Sequence, residues 1–503
     1  MLRCEGRILP LFLQFDAGVP RHTQSRISYA FRVFAAIYGH SVVDNAPSAA
    51  IQVSYAPDPP PNDAARVFHI PFLYRDKPPE TGHRHFARHT YAGHQFLLSF
   101  GVDARSGRPD WLGELFLWLS GGYETNIHAR DGVGRIPYSE TVFSRQGISP
   151  LKSHASMLMA WLENAVQRGE SNEALPKAPS PFPKCEHLVV CSHDVDFYFT
   201  NRTTALVRLF KNLGIAVVAR QPESQFAETL RLIPQVLGGI QVGHYLPALI
   251  EANRQHNVQS TFFAVARRGH RRDPNYRIAQ IAPFLQDAAR EGFSVGLHGS
   301  YGSILEDGSL SEEARLLEGS VGQRPLSGRQ HWLRFGRQED LFGQVAQAGL
   351  LADSSLGFPD MPGFRNGASF AFPPYDFSRE APYHFLEIPL VLMDGSLEAA
   401  SRKSAQPANR LAEDVLEESR TRGWGGVSVL WHNPLEPLSV PSGINDVYWQ
   451  CAARQKRLSE KWMSVDQFLA AAVPRFQQAG LLSAQLAASA FREANLEARL
   501  CSP

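Results

Sequence analysis

The sequence predicts an α/β protein, with a parallel sheet or barrel over residues 187–503 and a smaller α/β unit before it. Two observations carry this reading. After residue 187, short apolar runs alternate with longer stretches of helical periodicity, the pattern of strands that return in parallel through helices. Before it, residues 174–184 hold four prolines in a short polar stretch. Repeated proline favours extended backbone and interrupts helices, so residues 174–186 read as a linker between an N-terminal domain (1–173) and the larger unit (187–503).

In chain order, residues 8–15 form an apolar run that reads as a buried first strand. Residues 26–38 have apolar side chains at helical spacing, and residues 51–55 alternate as a strand does. Residues 111–119 are apolar on several faces and read as buried, and residues 151–167 read as a helix leading into the linker. Beyond the linker, strands are expected at 188–191, 260–265, 293–297, 387–391 and 427–431. Helices are expected at 247–255, 278–291 and 339–348. The Ala- and Leu-rich stretch from 465 to 500 reads as helical. No solenoid repeat or low-complexity tract is present.

Lys plus Arg total 50 against 49 Asp plus Glu, a formal net charge of +1. Bulk charge therefore provides no drive toward nucleic acid or an anionic membrane, and a partner must be recognised by a site. The five cysteines are scattered with no Cys-x-x-Cys pair, which argues against a disulfide framework or zinc ribbon and suits a reducing compartment. The run at residues 8–15 is too short to span a membrane and no small-residue cleavage site follows it, so a cytoplasmic location is the expectation.

Ligand-type residues recur just after the apolar runs, where a barrel of parallel strands places its active site. Ser192-His-Asp-Val-Asp196 follows the first run, with two carboxylates at i and i+2. His298 ends the run at 293–297. Arg329 and His331 stand in Gly328-Arg-Gln-His331, Asp353 follows a helix and a short apolar run, and His432 closes the run at 427–431. Singly each has a plain alternative: an aspartate after a strand often caps a helix, and a histidine there is often only hydrogen-bonded. His193, His270 and His384 fit that plain role. The succession of Asp-x-Asp, His, Arg/His, Asp and His at consecutive strand ends is the informative feature.

This succession resembles the polysaccharide deacetylase family, the NodB-homology domain, over most of residues 188–469. Ser192–Asp196 resembles its Asp-x-Asp motif, Thr261-Phe-Phe263 its second strand, and His298-Gly-Ser-Tyr301 its metal-ligand motif. Arg329 resembles its arginine motif, Asp353-Ser354 the aspartate that supports it, and Leu430-Trp-His432 its closing Leu-x-His. The resemblance implies a distorted (β/α) barrel of the polysaccharide deacetylase type, preceded by a smaller α/β N-terminal domain of the kind found in some bacterial homologues. It implies removal of an N-acetyl group from an amino sugar in glycan or surface-polysaccharide metabolism. Asp196 and His298 would bind a divalent metal, most often zinc. Asp194 would be the general base and His432 the general acid, with Arg329 and Asp353 orienting or tuning the site. Imidazole plus carboxylate with an open position suits a zinc ion that acidifies water, and an arginine beside a carboxylate favours its ionised form.

One position departs from the family pattern. The second motif histidine, four residues after the first, is replaced by Gly302, which offers no ligand. His331 is the candidate for the third place; packing beside Trp332 is its plain alternative. Ser300 and Tyr301 carry neutral hydroxyls, which are poor zinc ligands. Trp332, Phe358, Phe364, Phe372 and Tyr375 could stack on sugar faces or simply pack. The turns at 121–125 and 131–134 have no phosphate-loop spacing and receive no chemistry. Two other functions stay open: hydrolysis of another ester or amide on the same barrel, and glycan binding without metal or catalysis.

Overall fold

The computed structural model describes residues 8–45, 50–59, 67–75, 86–91, 94–168, 187–196, 245–304, 309–404, 406–422, 425–435, 442–458 and 460–485, with isolated helical positions between 206 and 234 and at 488 and 491. The proline-rich stretch and the last residues of the chain lie outside this set.

The N-terminal half is built on a four-stranded sheet of β1 (Pro10–Phe15), β2 (Ser41–Val42), β3 (Ile51–Ala56) and β4 (Val67–Pro71) in the order β2-β1-β3-β4. All of its pairs are parallel. The helix Arg21–Tyr38 returns the chain from β1 to β2. Gly39 closes that helix at φ 77°, a left-handed position in which its N–H reaches Ala35 O. A hairpin of β5 (Ala87–Tyr91) and β6 (His94–Leu98) follows, then the fully buried helix Trp111–Leu119 and the helix His154–Arg168.

The larger sheet contains β7 (His187–Asp194), β8 (Thr261–Ala264), β9 (Ser294–Gly299), β10 (Ser327–Gln330) and β11 (Ala352–Asp353). A small hairpin, β12 (Tyr375–Asp376) with β13 (Ala381–Pro382), precedes β14 (Leu386–Glu387), β15 (Leu390–Met393), β16 (Gly425–Leu430) and β17 (Glu460–Met463). The sheet order is β14-β11-β10-β9-β8-β7-β16-β15, with β17 also on β7. Every pair is parallel. β7 carries β17 along its first half and β8 along its second, since His187 to Val190 pair with β17 and Ser192 to Asp194 with β8.

β14 and β15 stand at opposite ends of this order yet are joined by only Ile388 and Pro389. Three residue steps of extended chain reach about 11 Å, so the two edges must curl together into a barrel. Proline lacks the N–H that a central strand would use. The Pro389 carbonyl instead accepts from Ser428 N at 2.7 Å, while Ile388 N donates to Asp353 O at 2.8 Å. The run at 387–391, expected as one strand, is thus two strands in two places. At the next seam a glycine is required: a Cβ on Gly425 would lie 2.1 Å from Leu188 O, and its φ is 88°.

One continuous hydrophobic cluster runs from the N-terminal helix Arg21–Tyr38 into the barrel and its last helix, Val465–Gln478. Arg26 grips Glu380 with two hydrogen bonds, at 2.9 and 2.6 Å. Glu124 and Arg365 form a second bidentate pair, at 2.8 and 2.9 Å, with both side chains buried. Among the described residues no helix is long and apolar enough to cross a membrane.

Candidate active site

The expected site residues all lie at or just beyond the C-terminal ends of the barrel strands, Asp353 included as the last residue of β11. β7 ends at Asp194, and Val195 N donates to Phe263 O at 2.8 Å while its side chain is buried. Asp196 N donates back to Asp194 O at 3.0 Å, and both carboxylates face His298 Nε2, at 3.5 and 3.4 Å. His298 is the penultimate residue of β9, paired in register with Arg329 on β10; His331 follows β10 and His432 lies just beyond β16.

Asp196, His298 and His331 each aim one ligand atom at a common point. His298 Nε2 and His331 Nδ1 are 3.1 Å apart. Each lies 3.4 Å from Asp196 Oδ1. Metal–ligand bonds of about 2.0–2.1 Å in tetrahedral directions give edges of about 3.3 Å, so these separations suit one small divalent ion. The far ring nitrogens are already engaged: His298 Nδ1 meets Arg329 O and His331 Nε2 meets Arg272 O, both at 2.9 Å. Donation to those carbonyls leaves the near nitrogens with free lone pairs. Asp196 Oδ1 is buried and has no hydrogen-bond partner, as a ligand oxygen would be. The donor set, one carboxylate and two imidazoles, fits a divalent metal.

Burial pushes the Asp196 carboxyl up, but His331, His298 and His432 around it outweigh burial and hold it well below the carboxylate range. Burial lowers His331, and Asp196, the Arg272 carbonyl and Asp273 reverse that and raise it. After His331 the backbone turns left-handed at two non-glycine residues, Trp332 (φ 63°) and Leu333 (φ 50°). Such positions cost about 1–3 kcal/mol each and need support from their surroundings.

Arg329 is completely buried, and its side chain makes five hydrogen bonds, one for each N–H it carries. Nη1 donates to Ser192 Oγ (2.8 Å) and Asp194 Oδ1 (2.9 Å). Nε donates to Ser354 O, and Nη2 to Ser354 Oγ and Ser428 Oγ, all at 2.9 Å. Asp194 is thereby fixed with Oδ2 3.5 Å from His298 Nε2. None of the five bonds goes to Asp353, which the resemblance had placed in support of the arginine. Asp353 instead accepts from Ser355 N and Oγ, and its neighbour on β14 is the buried Glu387. Burial pushes Asp353 up to about 6, and burial with the Asp353 charge pushes Glu387 well up.

His432 faces Asp196 Oδ2 through Nε2 at 3.5 Å. Its Nδ1 contacts Asp394 Oδ1 at 2.8 Å. Burial lowers this imidazole, but Asp394, aided by Asp196 and Asp194, outweighs burial and raises it to about 10. Asp394 was not among the residues singled out by sequence. It follows β15 directly, the same strand-end position as the others, but the apolar run was bounded at residue 391.

Asp194, Asp196, His298, Asp394 and His432 line a cleft of about 380 Å³ whose walls also include Arg135, Trp332, Leu333, Met393 and Glu398. That volume lies in the range of small-molecule sites. Trp332, 44% exposed, stands at the rim, whereas Phe358, Phe364, Phe372 and Tyr375 are buried packing residues. Ser300 Oγ donates to Glu313 and Tyr301 Oη accepts from Arg272, both at 2.5 Å, so neither hydroxyl is directed at the ligand atoms. His193 is a core residue held by Trp431 O and Asn253, and burial lowers it to about 4.

No protein-family model and no curated protein matches the sequence. Among solved structures, the chain is similar to a putative polysaccharide deacetylase from Mycobacterium smegmatis, with 16% identity over 59% of this chain and 94% of that one and a TM-score of 0.35. It is similar to the peptidoglycan deacetylase PdaC from Bacillus subtilis, with 10% identity over 59% and 96% of the chains and a TM-score of 0.29. A CE4 family pseudoenzyme from Bacillus anthracis also matches, with 12% identity over 61% and 83% and a TM-score of 0.26.

Proposed function

We propose that this protein is a metal-dependent hydrolase that removes an N-acetyl group from an amino sugar of a glycan or glycan precursor. The observation that carries the reading is the placement of two proton-transfer groups beside one three-ligand cluster. Asp194 Oδ2 is 3.5 Å from His298 Nε2, and His432 Nε2 is 3.5 Å from Asp196 Oδ2. A binding module needs no such acid–base pair.

Asp196, His298 and His331 would hold the ion, zinc being the first choice for this donor set. Bound there, it supplies Lewis acidity toward water and an acyl oxygen. The chain's own residues supply the remaining chemistry. Asp194, anchored through Oδ1 by Arg329, keeps Oδ2 to take the proton of an attacking water. His432, with Nδ1 on Asp394, presents Nε2 to protonate the departing amine nitrogen. Trp332 at the rim offers an apolar face to a sugar ring.

Acetate release from a panel of N-acetylated sugars and oligosaccharides, O-acetyl esters and simple amides tests this reading, with wild type, Asp194→Asn and His432→Gln compared at measured metal content. Release from N-acetyl sugars that drops in both variants supports it. Release only from esters or other amides moves the function to a different hydrolase. Stoichiometric metal with no release from any substrate, or glycan binding without metal, overturns the catalytic reading.

A further inference from the structure

We propose that the turn Asp131–Arg135 of the N-terminal half is a positioning element of the active site, holding Trp332 and Leu333, directly after His331, in their left-handed conformation. The metal consequences of this inference rest on His331 being a ligand, as in the functional reading above; the positioning itself does not.

The turn is rigid in its own right. Asp131 Oδ1 accepts from Val133 N and Arg135 N, both at 2.9 Å, and Asp131 Oδ2 accepts from Arg135 Nε at 2.8 Å. Gly134 N closes the turn on Asp131 O, with φ 94° at the glycine. Two bonds then cross to the barrel rim. Arg135 Nη1 donates to Trp332 O at 3.1 Å, and Arg334 Nε donates to Val133 O at 3.0 Å. These two contacts bracket Trp332 and Leu333, the two residues with positive φ.

Arg334 also reaches the other histidine ligand's loop. Its Nη1 donates to Tyr301 O at 2.7 Å and its guanidinium lies 4.3 Å from the Tyr301 ring centre. The N-terminal turn, the segment after His331 and the loop after His298 are therefore one hydrogen-bonded unit. Arg135 in addition forms part of the cleft wall. A left-handed segment with side chains at both positions does not hold itself, and the contacts above supply support from outside the barrel.

The test compares full-length wild type, Arg135→Ala, Arg135→Lys and, as a control nearby in sequence, Arg130→Ala. Among the described residues, Arg130 bonds only to the nearby Ile127 and Ala129 carbonyls. Hydrogen–deuterium exchange on metal-free proteins should be faster in peptides covering residues 331–335 of Arg135→Ala, with the barrel strands unchanged. Arg135→Lys should recover part of the protection, and Arg130→Ala should match wild type. Unchanged exchange at 331–335 in Arg135→Ala overturns the proposal. On the same proteins, zinc competition titration should show affinity about 10-fold weaker or more in Arg135→Ala, as for loss of an outer-shell contact. The cobalt absorption spectrum should shift with it. Zinc affinity and cobalt spectrum equal to wild type, with His331→Ala impaired, would overturn the link to the ligand. Wild type that binds no zinc or cobalt defeats the metal reading alone, and the exchange result still decides the positioning.

Discussion

Asp394 holds His432 at two points: Oδ1 lies 2.8 Å from the ring Nδ1, and Oδ2 accepts the His432 backbone N–H at 2.9 Å. The first contact fixes the ring orientation and places a proton on Nδ1; the second locks the carboxylate itself. A proton on Nδ1 leaves Nε2 as the nitrogen that exchanges protons with the cleft.

Asp394→Asn should therefore impair catalysis without dismantling the site. An amide can turn its NH2 toward Nδ1 and select the wrong tautomer, as when the aspartate of a catalytic triad is replaced. The expected result is a fall in kcat of about 10²- to 10³-fold, with KM and metal content near wild type. Steady-state kinetics beside elemental analysis checks this. An unchanged kcat would mean that His432 is not the acid.

Arg329 leads to a stability prediction. Its five bonds tie together β7, β10, β16 and the segment after β11 at the barrel centre, far from bulk water. Lysine keeps the charge but not the planar fork, so several of those acceptors would lose their donor. Breaking a buried charged network of this kind costs about 3–5 kcal/mol. Chemical denaturation of Arg329→Lys should show a loss of that order, and a loss under about 1 kcal/mol would show that the network contributes little.

The positions of Asp194, Asp196, His298, Arg329, His331 and His432 were legible because ligand-type residues follow apolar runs at strand ends, a local signal. His331 could be named because Gly302 created a vacancy in the pattern and only one imidazole stood near the next strand end. Asp353 shows the limit of motif transfer. A strand-end aspartate looks the same in sequence whether it meets the arginine or, as here, a buried glutamate across the next strand. The split of 387–391 into β14 and β15 was hidden because apolar periodicity does not report which strand pairs with which; Pro389 was the local clue. Nothing local marked residues 131–135 as neighbours of residue 332, since that contact is set by tertiary packing alone.

Burial and the Asp353 charge both favour the neutral form of Glu387. Its Oε1 also accepts from Leu356 N at 3.0 Å. Glu387→Gln keeps a donor toward Asp353 and an acceptor for Leu356, so it should lie within about 1 kcal/mol of wild type in stability. Glu387→Ala should cost about 2–3 kcal/mol by leaving Asp353 buried beside a cavity. Thermal or urea unfolding of the pair distinguishes them; equal losses would mean that a neutral polar group at position 387 does not support Asp353.

His154 provides the pH prediction. It is buried against Trp118, ring centroids 5.5 Å apart and 11° from parallel, and neither ring nitrogen has a hydrogen-bond partner among the described residues. Burial lowers its pKa from 6.5 to about 4, with Glu418 opposing and Lys152 assisting. Between pH 6.5 and about 4 the unfolded chain binds a proton that the folded protein excludes. Stability from this group is therefore full above pH 6.5, falls as pH is lowered through that window, and levels off below it. A shift of this size corresponds to roughly 3 kcal/mol. His154→Phe keeps a ring against Trp118 and removes the titration, while other groups titrate as before. Between pH 7 and pH 4.5 the variant should lose about 2–3 kcal/mol less unfolding free energy than wild type. Parallel pH profiles for the two proteins would show that His154 is charged, or solvated, in the folded state.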